Sequence, residues 1–369
     1  MKLLPEVKKV KYPQLDALRF FSVAGVMISH WFSQFAFTEY IPFGDGVLLF
    51  FVLSGYLIGN ILLEQKESIE VAGDKLSALM HAFKTFYTRR TLRIFPTYYA
   101  TIFIFYFLKL PSVKDNLVWF LTYTVNFRVM QLEYWLPGSG HMWSLAIEEQ
   151  FYIVFPFLVF FTPKKYLKGM LFAMIVTGIF SKIILWALNY SLFDISLFSL
   201  SSVDYLGIGA LLAWLQRYTN VAHRLFEKRK LLLSSSLLIL SIVLYLRYHF
   251  ANALFICVLV PMAFAYFAWT CILICSFGAT GRAKKILEWP LFLFLGQISY
   301  GLYLYHNLVP TLDILLIRKM ATIDYLQWTS SALGQAFVHF VFTVVLAILS
   351  FRFFEQPISN LKKYFEYRL

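Results

Sequence analysis

Between its basic clusters the chain offers one apolar run after another, many near the roughly 20 residues a helix needs to cross a ~30 Å hydrocarbon layer. Composition places the whole molecule in that class: 60% of its 369 residues are hydrophobic, 20% aromatic and only 14% charged. No soluble domain of this length has such a balance. The expected fold is therefore all-α, a polytopic membrane bundle of about ten transmembrane helices. The runs lie near residues 15–37, 44–63, 94–110, 141–161, 168–190, 203–217, 231–248, 252–277, 289–312 and 332–352. A polar segment, 64–90, separates the second from the third. Residues 111–140 read as a partly buried or re-entrant helix plus a loop, and the tail after 351 as an amphipathic surface segment. No repeat or low-complexity linker divides the chain, so residues 1–369 read as one membrane domain with no appended soluble domain.

The net charge of +13 would suggest nucleic acid in a soluble protein. Here its distribution says otherwise. With the N-terminus inside and ten spans, 26 of the 33 Lys and Arg residues fall on the inner side, and seven elsewhere (Lys109, Lys114, Arg128, Lys182, Arg247, Arg318 and Lys319). That is the positive-inside pattern. It implies a multi-pass cell (inner) membrane protein with both termini cytoplasmic, an anionic lipid surface as neighbour, and no nucleic-acid partner. Cys257, Cys271 and Cys275 sit in apolar runs without metal-ligand spacing, so they read as packing residues and no metal site is expected.

The first run, LDALRFFSVAGVMISH from Leu15 to His30, carries Asp16, Arg19 and His30. At ~100° per residue, Arg19 to His30 is about three turns and Asp16 to His30 about four, so all three lie near one stripe. The rise puts His30 ~16 Å beyond Arg19, past the bilayer midplane. Ionisable groups at that depth face a protein interior or a wet cavity. The stripe thus reads as the lining of a path, with a helix-packing contact as the plainer alternative. In FYTRRTLRIFPTYY, Arg89, Arg90 and Arg93 fall within one turn. Guanidinium forks bind phosphate bidentately, though taken alone the cluster also reads as ordinary positive-inside charge. In HMWSLAIEEQFY, Ser144 and Glu148 share a face, and His141 lies three residues before Ser144. A histidine and a carboxylate at a helix mouth suit general acid–base work. Small residues around GDGVLLFFVLSGYL, from Gly44 to Gly55, permit close backbone approach.

These segments together resemble the membrane-bound acyltransferase-3 family, which includes polysaccharide O-acetyltransferases. The motifs LDALR with His30 eleven residues beyond Arg19, GDGVLLFFVLSGYL, FYTRRTLRIFPTYY, HMWSLAIEEQFY and GQISYGLYLYH occur in the family's order, and EQP at 355–357 resembles its usual ending. The resemblance implies about ten helices, an acyl-CoA donor from the cytoplasm, most simply acetyl-CoA, and a glycan acceptor on the far side. His30 is then the essential histidine, Arg19, Arg89, Arg90 and Arg93 serve the donor, and Ser54, Glu148 and Tyr152 belong to motifs lining the site. Glu148 and His141 join His30 as candidate catalytic groups. Asp45, Trp143, Ser144, Tyr152 and His306 are the candidates for contact with the acceptor, and Asp45 or Glu148 is a candidate to orient a histidine. No cofactor is expected to stay bound, and envelope-polysaccharide machinery is the expected protein environment. Two chemistries stay open: direct attack of a sugar hydroxyl with His30 as base, or a covalent acyl-enzyme. Two other readings stay open as well: acylation of a small secreted molecule, and a glycan or lipid transporter.

The charge pattern makes a testable statement about sides. A cysteine placed at residue 70 should resist an impermeant thiol reagent in intact cells, and one near 138 should react; the reverse pattern would invert the assignment.

Overall fold

Five of the long helices meet on a sixth, so the architecture is best followed from that hub outward. A computed structural model describes residues 12–367 except 36, 42, 251 and 312–330. Arg318, Lys319 and the basic N-terminal residues lie outside the described residues, as does the C-terminal end of the 289–312 run. The principal helices are α1 (Pro13–Trp31), α2 (Gly46–Val71), α3 (Lys75–Phe107), α4 (Trp143–Phe161), α5 (Leu167–Ala187), α6 (Val203–Tyr218), α7 (Arg229–His249), α8 (Val260–Phe277), α9 (Pro290–Gln297), α10 (Ser299–Tyr305) and α11 (Ala332–Ser350). Among the described residues there is no strand. The hub is α2, which packs against α1, α3, α4, α6 and α8. Around it, α5 leans on α6, α7 on α8, α9 on α1 and α11 on α10.

Among the described residues, six helices are long and apolar enough to cross a bilayer: those within 43–71, 140–161, 164–187, 229–249, 255–277 and 332–364. That is fewer than the ten expected spans, and the shortfall has a physical cause. In α1 the stripe residues Asp16, Arg19 and His30 lower the apolarity of the run. In α3 the three arginines do the same. The 289–312 run is not continuous: Pro290 starts α9 and the chain breaks at Ile298 before α10 begins. The polar segment 64–90 is not a loop. Helix α2 runs on to Val71, and α3 starts at Lys75, capped by the Asp74 carboxylate, which accepts from the Ser77 amide at 3.1 Å. Charge there marks where hydrocarbon ends, not where the helix ends. Arg217 of α6 ties down this extension through Glu67 at 2.7 Å. The 111–140 region resolves into three short helices, Pro111–Lys114, Leu117–Leu121 and Val125–Leu132.

Helices α2 and α6 form the most extensive pair, and glycine sets their spacing. A Cβ on Gly55 would lie 2.0 Å from the Leu206 carbonyl oxygen, and one on Gly209 would lie 1.9 Å from that of Val52. In lipid, where helices gain little from hydrophobic burial against each other, such backbone contact is a principal source of association. Gly55→Leu or Gly209→Val should therefore lower stability by on the order of 1–3 kcal/mol and lower the Tm in detergent. Gly169→Ala, at a position open within 4 Å, is the comparison. An unchanged Tm in both α2–α6 variants would refute the close-contact account.

Candidate active site

Two cavities open along the bundle, and α1 connects them. The first, about 690 Å³, is lined by Arg19, Arg89, Arg90, Arg93, Ser54, Ser144, Glu148, Glu149 and Tyr152, among others. The second, about 580 Å³, is lined by Ser29, His30, Asp45, Trp135, His141, Trp143, Lys182, Tyr205, Arg247 and Asn307, among others. The polar stripe of α1 thus has one end in each cavity: Arg19, held by Asp16, in the arginine-side cavity, and His30 in the histidine-side cavity.

The partners of His30 settle its tautomer. His306 Nδ1 lies 2.7 Å from the Tyr303 carbonyl oxygen. A carbonyl only accepts, so this nitrogen carries the proton, and in the neutral ring Nε2 is bare. His306 Nε2 lies 3.0 Å from His30 Nδ1, which is also 3.0 Å from Asn307 Oδ1. His30 Nδ1–H therefore donates to these two acceptors, and its Nε2 lone pair is left for the cavity, to which His30 is open. The tautomers follow from the hydrogen-bond partners. Trp31 Nε1 donates to the His306 carbonyl at 3.1 Å and fixes the same junction from α1. His306 is fully buried; it holds His30 in place and does not line the cavity.

The other sequence candidates divide between the cavities. His141 is buried, with Nε2 at 3.3 Å from the Leu304 carbonyl and Nδ1 without a partner among the described residues. Asp45 and Trp143 share its cavity. Glu148 and Tyr152 are on the arginine side, where Tyr152 donates to Ser54 Oγ at 3.0 Å and Ser54 donates to Glu148 Oε1 at 2.6 Å. Ser144 is also there, paired with the Tyr303 hydroxyl at 2.5 Å. Neither Asp45 nor Glu148 is the group that orients His30; His306 and Asn307 are.

The three arginines of α3 are not equivalent. Arg89 donates to the carbonyls of Lys362 and Phe365 at 2.9 and 2.7 Å, and Tyr367 packs on its guanidinium. It anchors the tail, which folds back over the cavity instead of lying apart on the surface. Arg90 rests on the Tyr152 ring, 4.8 Å from its centroid. Among the described residues, neither Arg90 nor Arg93 forms an ion pair. Glu148 and Glu149 line the same cavity but neither is at ion-pair distance from them, so both guanidiniums keep donors free for an added anion. Among the described residues no three metal-ligating side chains converge.

Sequence reading did not single out several groups for the site. Lys182 of α5 donates to Asp204 at 2.5 Å and to the Tyr205 hydroxyl at 2.6 Å, both on α6, and lines the histidine side. Arg247, which has no ion pair among the described residues, faces the same cavity near Asp45. Lys182 and Arg247 are two of the seven basic residues outside the positive-inside majority, which was their one signal. Asn307 directly follows the GQISYGLYLYH motif. Glu149, buried with Oε1 unpaired among the described residues, sits beside Glu148 in the motif itself.

The anchoring role of Arg89 is testable. Removing hydrogen bonds to a charged donor costs about 1.5–3 kcal/mol, so Arg89→Ala should speed amide hydrogen exchange across 361–367 by roughly tenfold or more, with little change in α2. Unchanged exchange there would show that the tail is held by other contacts.

The chain is 28% identical to the peptidoglycan O-acetyltransferase OatA of Listeria monocytogenes, over 98% of its own length and 58% of the relative's. It is also 28% identical to YrhL of Bacillus subtilis, provisionally named a peptidoglycan O-acetyltransferase, over 94% of this chain and 55% of that one. The chain thus spans little more than half the length of these relatives. No solved structure matches it. The acyltransferase-3 model, described as an acyltransferase domain, matches residues 12–352, and the chain belongs to that family of membrane acyltransferases.

Proposed function

We propose that this protein moves an acetyl group from acyl-CoA bound on the arginine side to a hydroxyl of a cell-wall glycan bound on the histidine side. The observation that carries the reading is the pair of cavities joined by one polar helix face. One holds unpaired guanidiniums and the other an imidazole with a free nitrogen. The donor's phosphates meet Arg90 and Arg93, and its arm runs along α1 past Arg19. The acceptor sits between Trp143, Asp45 and Arg247. Aromatic faces with hydrogen-bonding groups around them suit a saccharide. The relatives' names support a peptidoglycan-type glycan. The positive-inside distribution supports a cytoplasmic arginine side, with both termini on it. On this reading α1 and α3 also span, their charged faces turned to the cavities, which brings the count of spans towards ten.

The chemistry follows from the tautomer. A glycan hydroxyl oxygen attacks the thioester carbonyl carbon as His30 Nε2 takes its proton. A C–O bond forms, the C–S bond breaks, and the proton held on His30 passes to the CoA thiolate, which leaves as the free thiol. His306 and Asn307 stabilise the imidazolium's Nδ1–H, as the third member of a catalytic triad does.

His30→Ala should lower acetyl transfer to envelope glycan by about 10²- to 10⁴-fold at parental protein levels. His141→Ala, whose Nε2 faces a backbone carbonyl, should retain more activity. Arg90→Ala and Arg93→Ala should each weaken apparent acyl-CoA affinity about ten- to a hundredfold with smaller changes in kcat. Near-parental activity in His30→Ala would overturn the catalytic assignment. Unaltered KM in both arginine variants would remove the donor from that cavity.

A further inference from the structure

Direct transfer needs the thioester and the acceptor hydroxyl to meet, so the place where the two cavities adjoin matters. The residues that line both are Val47 and Tyr303. Tyr303 is 5% exposed, so it forms part of the wall. Its ring stands edge-on to Phe50 of the arginine side at 6.0 Å and to His141 of the histidine side at 5.5 Å. Its hydroxyl donates to the His141 carbonyl at 3.0 Å and pairs with Ser144 Oγ at 2.5 Å. One phenol thereby ties a residue lining one cavity to a residue lining the other.

The other residue common to both linings, Val47, is β-branched and stiff at χ1. It is carried on the hub helix α2. Tyr303 can change its staggered side-chain position at the expense of two hydrogen bonds of ordinary net strength and of its ring contacts with Phe50, His141 and His306. Its backbone need not follow, so its carbonyl keeps hold of His306 while the ring swings.

We propose that Tyr303 is a gate between the cavities that also sets the width of acyl group admitted. This rests on the reading that the donor binds on the arginine side. With the phenol latched to Ser144 and His141, the thioester is kept from the acceptor cavity and its water. With the phenol released, an acyl group as slim as the donor's own arm passes, and a branched one does not. The gate thereby limits the side reaction in which water replaces the sugar hydroxyl and yields free acid and free thiol.

The experiment compares Tyr303→Phe, Tyr303→Ala and Val47→Ala with the parent, at matched accumulation. It uses acetyl-CoA and isobutyryl-CoA, and measures transfer to glycan and thiol release without acceptor. Tyr303→Ala should raise the isobutyryl-to-acetyl transfer ratio by roughly tenfold or more and raise acceptor-independent thiol release. Val47→Ala widens the same passage from the other wall and should shift the ratio in the same direction, which keeps the test informative if Tyr303→Ala does not accumulate. Tyr303→Phe keeps the ring and loses the latch, so thiol release should rise while the ratio stays near parental. If the parent uses acetyl-CoA and neither widened variant changes the ratio or the release, the gate is refuted while the donor reading stands. If the parent uses no acyl-CoA at all, both fall together.

Discussion

An ionisable group in the apolar part of a membrane protein has to find a partner or a wet space, and that constraint organises this molecule. Asp16 meets Arg19 within one helix. Lys182 meets Asp204 and Tyr205 between two helices. His306 is satisfied on both nitrogens. Once these pairings are made, Arg90, Arg93, Arg247, the Oε1 of Glu149, the Nδ1 of His141 and the Nε2 of His30 are among the groups left over in the described residues. They point into cavities. In an apolar bundle an unpaired ionisable group that also lines a cavity is a strong pointer to the site.

How much of this was legible in the sequence depended on the distance over which the information is encoded. The stripe of α1 is a property of one helix, and a 3.6-residue period gives it directly. The shared face of Ser144 and Glu148 is legible in the same way, and both line one cavity. The period does not say which cavity, so His141 and Glu148, seven residues apart, end up on different sides of a wall that only the fold creates. The His30–His306 contact joins residues 276 apart, and Lys182 finds Asp204 on another helix; neither pairing has a local signature. The 64–90 segment shows the opposite limit. Its charges ended the apolar run, and composition cannot separate the end of a membrane layer from the end of a helix. In the same way the tail's basic, amphipathic pattern fits a surface segment, and only tertiary structure shows Arg89 holding its carbonyls.

The site's two halves have the characters their ligands would require. Phosphate recognition asks for fixed positive charge, which arginine keeps at any physiological pH. Proton abstraction from a sugar asks for a neutral base whose free nitrogen is fixed in direction. The Tyr303 carbonyl supplies that direction through His306, while the same residue's ring closes the wall. Orientation of the base and separation of the reactants are therefore linked through a single residue on a short helix.

That short helix has a mechanical meaning. Where α2 and α6 touch backbone to backbone at Gly55 and Gly209, neither can slide or rotate without collision, so this pair acts as a rigid strut through the molecule. Helix α10 is seven residues long and separated from α9 by the break at Ile298, yet Gly296 of α9 lies against the Asp16 carbonyl of α1 and Gly301 of α10 against Ala347 of α11. Rearrangement on that side is therefore left to side chains, Tyr303 among them, more than to whole helices. The turnover rate of such an enzyme would be governed by how readily the side chains of one short segment rearrange against a frame that stays still.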